Sequence, residues 1–333
     1  MKRREFAGKG IGDMRRREFI VLLGGIAAAW PLSAGAQQPA PGKWRVGMLA
    51  QKRRIDFVRE GLRELGYVED ANLTIDVRPN DNVDTLAAFA AELIALNPNV
   101  VVAAGTQAVQ AFQKLERKIP IVMIASDPVG NGLVASLAHP GGYTTGLSLF
   151  SPELSAKRIE LLRAIAGDLS PLAVLWNPAD PPAVAAFKQT QDAARFLQFS
   201  LIAVEARRAE DFVPAFETLA GAQPKGLVVL NSPLMSINVA LIAEHAQRLK
   251  LPSIYTDRTF PQAGGLTSYG PNFDALTKRT AVYIDRIFRG EKPADLPVEQ
   301  PTKLDLVINL KTAKALGLTV SNLILLSAED VIE

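Results

Sequence analysis

The most constraining feature of this sequence is the alternation, from Trp44 onward, of short apolar runs with longer segments of helical periodicity. The first run, WRVGMLA, precedes a segment that places Ile55, Val58 and Leu62 on one helix face, and Gly66 can adopt the left-handed conformation that ends a helix. Further apolar runs, each with its own helical segment, follow as LTIDVRP, VVVAA and IPIVMIA. Parallel strands joined by crossover helices produce this pattern, which therefore predicts an α/β fold with a doubly wound parallel sheet.

The same alternation starts again after the run GLSLF. Its strands are expected at LAVLWN, SLIAVEA, GLVVLN and LPSIYT, with helical segments between them. No register of sequence identity links the two series, so the repetition is one of topology and not of a short sequence period. The chain is thus predicted to form two doubly wound parallel-sheet lobes.

The first 36 residues have the pattern of an export signal. Basic residues precede the apolar run IVLLGGIAAAW, and Ala34-Gly35-Ala36 supplies the small residues of a cleavage site. The apolar run is shorter than the roughly 20 residues that a membrane-spanning helix needs. We expect a signal peptide over residues 1–36, with the start at Met14 and the mature protein in the periplasm. The sequence Arg16-Arg17-Glu18-Phe19 leaves the twin-arginine and general secretory routes open.

Charge and cysteine content exclude several classes of function. Residues 1–36 contain seven Lys or Arg and three Asp or Glu, whereas the whole chain has a net charge of +3, so the remainder is slightly acidic. The pI of about 9.0 therefore belongs to the leader and does not indicate a nucleic-acid partner. The absence of cysteine excludes thiol catalysis, cysteine metal sites and disulfides.

Sequence patterns of enzymes are scarce. The two histidines, His139 and His245, lie far apart, and neither an H-E-x-x-H metal motif, a P-loop nor a G-x-S-x-G nucleophile motif occurs. A histidine in a loop or on a surface accounts for both positions. We expect no catalytic site, no metal site and no cofactor.

Polar residues stand where the predicted strands end. Ligands of open parallel sheets bind at the carboxyl ends of strands, where helix N-termini present unpaired N–H groups. Hydroxyl groups there suit a carboxylate, Asp127 or Asp257 suits an ammonium group, and Tyr255 or Trp176 can stack on a flat apolar group. Each residue taken alone is also an ordinary helix cap or turn residue. Taken together, the junctions favour a cleft between the two lobes.

Several long segments carry a family resemblance. They are the leader, ASDPVGNGLVASLAHPGG, GLSLFSPELSAKRIELLR, AGGLTSYG and GEKPADLPVEQPTKLDLVINLKTAKALGL. In this order they resemble the ABC transporter substrate-binding family of the tryptophan/tyrosine type, over nearly the whole chain from Met14. The resemblance implies a periplasmic binding protein of the type I fold, in which two α/β lobes joined by three crossovers close on a small ligand.

The resemblance also implies domain boundaries and ligand contacts. The crossovers are expected near Phe150, Arg258 and Gly290, which gives a first lobe of residues 43–150 plus 258–290 and a second lobe of residues 151–257 plus 291–333. The expected ligand contacts are Gly105, Thr106, Gln107, Ser126, Asp127, Pro128, Asn177, Ser232, Tyr255, Thr256 and Asp257.

One segment departs from the family pattern. Members usually have a longer, serine-rich loop after the first strand, whereas LAQKRRIDF makes this connection short and basic. Lys52, Arg53 and Arg54 at a helix start oppose the helix dipole. They form either an anion-attracting rim or a solvated surface, and we expect the latter.

The predicted function is that of the substrate-binding component of an ABC importer. It would capture an amino acid or related carboxylate, aromatic or not, as a monomer and deliver it to an inner-membrane permease with its ATPase, without covalent chemistry. A periplasmic sensor subunit that signals to a receptor is an alternative that the sequence does not separate from transport. An exported α/β enzyme is a further alternative, and it would need an acid and a base in the cleft.

Overall fold

The computed structural model describes residues 43–333, except residues 81, 117, 150–152 and 302. The predicted signal peptide, its cleavage site and the predicted start at Met14 lie outside the described residues. None of the helices in the described part of the chain is long and apolar enough to cross a bilayer.

Two sheets organise the molecule, and they correspond to the two predicted lobes. The strands are β1 Trp44–Leu49, β2 Leu73–Arg78, β3 Val100–Ala104, β4 Ile121–Ala125, β5 Thr144–Ser148, β6 Leu172–Trp176, β7 Leu201–Glu205, β8 Gly226–Val229, β9 Ser253–Tyr255, β10 Thr267–Pro271, β11 Leu304–Asn309 and β12 Asp330–Ile332. The first sheet has the order β2-β1-β3-β4-β5 and the second the order β12-β11-β10-β9-β8-β6-β7.

Helices connect most of the strands. They are α1 Ile55–Glu64, α2 Leu86–Ala95, α3 Thr106–Gln113, α4 Glu153–Ala166, α5 Pro181–Phe196, α6 Phe212–Ala222, α7 Pro233–Ile237, α8 Val239–Arg248, α9 Thr259–Gln262, α10 Phe273–Phe288, α11 Leu310–Ala315 and α12 Asn322–Ser327. A short 3-10 helix, Lys52–Arg54, leads into α1.

Apolar side chains cover both faces of each sheet. In β3, Val100 and Val102 belong to the core on one face, whereas Val101 and Ala103 belong to the core on the other. Strands buried on both faces read as continuous apolar runs, because neighbouring residues point to opposite sides and both sides are covered by helices. The pairing within the first sheet is parallel, and in the second sheet only β10 and β11 pair antiparallel. The predicted α/β class with two doubly wound lobes of the type I binding-protein kind is confirmed.

The strand pairing corrects two of the expected lobe boundaries. β10 pairs with β9 and β11, so the segment from Arg258 to Pro271 belongs with the second sheet. The next helix, α10, packs against the first lobe, where Ala281 and Ile284 join the same core as β1. The second connection therefore falls near Asn272 and not near Arg258.

The third connection is displaced in the same way. After α10 the chain stays on the first lobe, where Thr145 donates a hydrogen bond through Oγ1 to the Leu296 carbonyl at 2.6 Å, and Glu299 forms a bridge to Leu147. β11 then returns to the second sheet. The boundary lies near Pro301 and not near Gly290, because helix α10 is followed by a tail that also packs on the first lobe.

A glycine allows α10 to sit so close to the first lobe. A Cβ atom on Gly61 would lie 2.7 Å from the Lys278 carbonyl oxygen and 2.8 Å from the Ala281 Cβ. Only glycine permits this approach of α1 to α10. The contact places the N-terminal end of α10, with Phe273 and Asp274, beside the segment that precedes α1.

Candidate functional site

A cavity lies where the strands of both sheets end. Its walls come from the segments that follow β1, β2, β3 and β4 in the first lobe and β6, β8 and β9 in the second, together with the start of α4 and of α10. This is the edge at which parallel sheets bind ligands, because carboxyl ends of strands and N-termini of helices meet there.

The first-lobe wall offers two buried polar atoms. Gly105, with φ of 100°, turns the chain from β3 into α3 and places Thr106 at the first turn of that helix. The Oγ1 atom of Thr106 and the Oδ1 atom of Asn80 are buried without a hydrogen-bond partner in the described part of the chain. Asn80 is held in place because its Nδ2 donates to the Ala104 carbonyl. A buried polar atom without a partner is unfavourable, so both atoms are suited to meet a polar group in the cavity.

Arg158, on α4, provides a buried positive charge on the second-lobe wall. Its Nε donates a hydrogen bond to the Tyr269 carbonyl at 2.8 Å, and no carboxylate of the described residues lies within ion-pair distance of it. Burial lowers the pKa of Arg158 to about 10, so the guanidinium keeps its charge at neutral pH. A buried guanidinium lined up with a cavity is well suited to bind a carboxylate in a bidentate manner.

Asp180, which precedes α5, adds a buried carboxyl group to the same wall. Its side chain is 6% exposed, and burial raises its pKa to about 7, against the opposing effect of the Ala183 amide. None of the described cations forms an ion pair with it. Near neutral pH the group is therefore poised between its acid and its anion, and a ligand ammonium group beside it would favour the anion.

Arg54 occupies the opposite wall and is held by two carboxylates. Its Nη2 lies 2.7 Å from Asp257 Oδ2, which belongs to the second lobe, and its Nη1 lies 3.0 Å from Asp274 Oδ1 at the start of α10. The guanidinium also lies over the ring of Phe273, with its carbon 5.0 Å from the ring centre. The expectation that this basic segment is solvated is thus wrong for Arg54, which is 7% exposed, and holds for Lys52, which is exposed.

The structure brings seven of the predicted contacts to the cavity wall, namely Gly105, Thr106, Gln107, Ser126, Ser232, Thr256 and Asp257. Asp257 is not available for an ammonium group, because its Oδ1 accepts hydrogen bonds from the amide and hydroxyl of Thr259 while Oδ2 accepts from Arg54. Ser232 accepts from the Met235 amide as the cap of α7 and keeps its hydroxyl hydrogen for another acceptor. As ligand contacts, these residues stay predictions.

Aromatic residues predicted for the site lie in the core instead. Tyr255 is 0% exposed and stacks on Phe260, with ring centres 4.3 Å apart. Trp176 stacks in the same way on Phe187 at 4.2 Å. Neither Tyr255 nor Trp176 lines the cavity. Alternation along the strand explains this position, since both residues end a buried strand and point into a helix-covered face.

Three further predicted contacts serve their own turns. Asp127, with φ of 41°, accepts a hydrogen bond from the Gly130 amide, and Pro128 is buried beside it. Asn177 accepts from the Ala179 amide at 2.9 Å. Asp127, Pro128 and Asn177 are absent from the cavity wall, so the capping interpretation describes them better than ligand contact.

Two charged residues of the cavity, Arg158 and Asp180, were not singled out by their sequence context. Arg158 stands in AKRIELLRAIA, where it resembles the charged face of an amphipathic helix, and Asp180 precedes two prolines as an ordinary helix start. Only the apolar surroundings that the fold supplies distinguish them. The described residues contain no cluster of His, Cys, Asp and Glu that could hold a metal ion.

The chain is similar to known proteins over most of its length. A family model described as ABC transporter substrate binding protein matches residues 49–332. The tyrosine-binding protein of Clostridioides difficile (strain R20291) is 24% identical over 280 residues, which cover 82% of this chain and 80% of that protein.

Solved structures are similar over most of the chain. The crystal structure of a conserved domain protein from Vibrio cholerae is 27% identical, covers 88% of this chain and 100% of its own, and has a TM-score of 0.80. The ABC domain from Streptococcus pneumonia in complex with L-Trp is 23% identical, covers 87% of this chain and 100% of its own, and also has a TM-score of 0.80. At 23% identity, the similarity to the L-Trp complex shows a shared fold only.

Proposed function

This chain belongs to the family of ABC transporter substrate-binding proteins, and from that membership we propose that it captures a zwitterionic amino acid in the cavity and delivers it to an inner-membrane permease. The observation that carries the proposal is Arg158, a guanidinium buried in the cavity wall with no carboxylate of the described residues to offset it. A buried charge of this kind is costly unless a partner compensates it, and a ligand carboxylate does so.

The charge balance of the cavity supports a ligand with both charges. Arg54 is paired with Asp257 and Asp274, whereas none of the described carboxylates lies within ion-pair distance of Arg158. Asp180 adds a carboxyl group that is partly ionised near neutral pH. A ligand with a carboxylate for Arg158 and an ammonium group for Asp180 gives each of these buried groups an opposite charge, whereas a simple anion or cation serves only one of them.

The relatives support an aromatic side chain. One curated relative is a tyrosine-binding protein, and one structural neighbour was solved with L-Trp. We propose aromatic amino acids as the preferred ligands, bound by a monomer in the periplasm after removal of the leader. Both lobes line the cavity, so a ligand that contacts both favours the closed arrangement, which the permease and its ATPase recognise. The proposal involves no covalent chemistry.

Calorimetric titration of the purified protein tests this function. Tyrosine, tryptophan and phenylalanine are compared with two truncated analogues, 3-phenylpropionate, which lacks the ammonium group, and 2-phenylethylamine, which lacks the carboxylate. We expect binding of the amino acids and a loss of roughly 100-fold or more for each analogue, since each leaves a buried charge of the protein without its partner. Equal affinity for an amino acid and both analogues, or no binding across the panel, contradicts the proposal.

A further inference from the structure

The guanidinium of Arg54 is fixed in the cavity wall in a defined orientation. Asp257 and Asp274 bind two of its nitrogens from different elements, and the ring of Phe273 covers it at 5.0 Å. The side chain is 9% exposed, and Arg54 and Phe273 both line the cavity. The two residues therefore form a cation–π pair in the cavity lining, hereafter the Arg54–Phe273 pair.

The position of the pair complements that of the groups assigned to the charged end of the ligand. Arg158 and Asp180 belong to the second lobe, whereas Arg54 and Phe273 belong to the first. Apolar side chains that line the cavity on the first-lobe side include Leu86 and Ile124. A zwitterionic head held by the second lobe thus directs the ligand side chain toward the first.

A guanidinium held at its edges by carboxylates has faces that suit flat rings. Hydrogen bonds run in the guanidinium plane, whereas the faces are weakly hydrated and attract the negative face of an aromatic ring. Aliphatic side chains of the same size gain no such attraction. A rigid planar cation in a cavity therefore distinguishes aromatic from aliphatic side chains.

We propose that the Arg54–Phe273 pair is a specificity determinant of this protein, against which an aromatic ligand side chain stacks. The proposal rests on the proposed function, since it concerns the same cavity. The short basic segment after β1 supplies Arg54 and so contributes to the selection of aromatic ligands.

The test compares phenylalanine with cyclohexylalanine, which has nearly the same shape but no π-system. Calorimetry gives the ratio of the two dissociation constants for the wild type, Arg54→Met, Phe273→Leu and a control, Arg59→Met. Arg59 also forms ion pairs with carboxylates, but it does not line the cavity. Phe273→Leu retains the ion pairs of Arg54, so it remains informative if Arg54→Met fails to fold.

We expect the wild type and Arg59→Met to favour phenylalanine by roughly 5- to 30-fold, the range of a desolvated cation–π contact. Arg54→Met should lower this ratio to about one. Phe273→Leu should reduce the logarithm of the ratio by at least about half, because the guanidinium loses the ring that helps to orient it. A ratio unchanged in Phe273→Leu, or a wild-type ratio near one, overturns the proposal. Because phenylalanine and cyclohexylalanine have the same charged head, binding of neither by the wild type would instead contradict the proposed function.

Discussion

Arg54 and Arg158 are both buried arginines of the same cavity, yet their surroundings differ. Arg54 lies between Asp257 and Asp274 and over the ring of Phe273, whereas Arg158 has, among the described residues, one hydrogen bond, to a backbone carbonyl. Arg54 is thus compensated within the protein and joins elements of both lobes. Arg158 carries a charge that the described residues do not offset.

Because of this difference, substitutions at the two arginines should affect different properties, the stability of the fold in one case and ligand binding in the other. Removing one partner of a buried ion pair leaves the other charge exposed to an apolar environment, which is strongly destabilising. Removing a buried charge that has no ion-pair partner relieves the protein of an unfavourable group. We therefore expect Arg54 to matter chiefly for the folded state and for selectivity, and Arg158 for affinity.

The largest expected effect is on stability. Arg54→Met should lower the free energy of unfolding by about 3–5 kcal/mol, because it leaves Asp257, which is 2% exposed, without its guanidinium. Urea denaturation followed by circular dichroism measures this change. Adding Asp257→Asn removes the buried negative charge but keeps an oxygen that accepts from Thr259, so it should restore at least half of the lost free energy of unfolding. A double variant as unstable as Arg54→Met would contradict this explanation.

The second effect is on affinity. Arg158→Met should weaken amino-acid binding by about 2–4 kcal/mol, or roughly 30- to 1000-fold, because the ligand carboxylate loses its partner. The same substitution should leave the free energy of unfolding unchanged or raised. A fall in stability equal to that of Arg54→Met would show that the two arginines do not differ as proposed.

Asp180 gives a pH-dependent effect of intermediate size. Burial raises its pKa to about 7, so the unfolded chain, in which Asp titrates near 3.9, loses its proton more readily than the folded protein. Its contribution to stability is therefore present below about pH 4 and is lost as the pH rises toward 7. Asp180→Asn should raise the free energy of unfolding by up to about 4 kcal/mol at pH 8 and change it little at pH 4. Thermal unfolding at the two pH values tests this, and an equal effect at both would exclude a titration.

The smallest effect is expected at the outer carboxylate of Arg54. The side chain of Asp274 is 30% exposed, compared with 3% for Asp257, and solvent screens its attraction to the guanidinium. Asp274→Asn should lower the free energy of unfolding by less than about 1 kcal/mol, as is usual for exposed pairs. Urea denaturation of Asp274→Asn and Asp257→Asn compares the two losses in free energy of unfolding. Equal losses would mean that burial does not set the strength of these ion pairs.

Much of the fold follows from local patterns. The predicted α1 face is found with Ile55, Val58 and Leu62 buried, and Gly66 has the left-handed φ of 88° expected at the end of a helix. The lobe boundaries were misplaced because the sequence gives no sign that β10 pairs with β9 while the next helix crosses to the first lobe. Such a choice depends on the sheet edge and on close packing at Gly61, both of which are long-range contacts.

The residues of the cavity were also predicted only in part from the sequence. The polar junctions after strands were visible in the sequence, and several of them, such as Thr106 and Ser126, line the cavity. Tyr255 and Asn177 do not, because a strand-end residue faces the cavity or the core according to alternation and turn geometry, which a difference of one position reverses.

By itself, the sequence determined the α/β class and the approximate elements, because helical and strand periodicities are local properties of the chain. The tertiary structure decided which charges meet. Arg54 stands 203 residues from Asp257 and 220 from Asp274, and a basic run is solvated or buried according to whether such distant carboxylates reach it. The free energy of a charge depends on its surroundings in space, so only the folded chain distinguishes Arg54, compensated within the protein, from Arg158, which is left to a ligand.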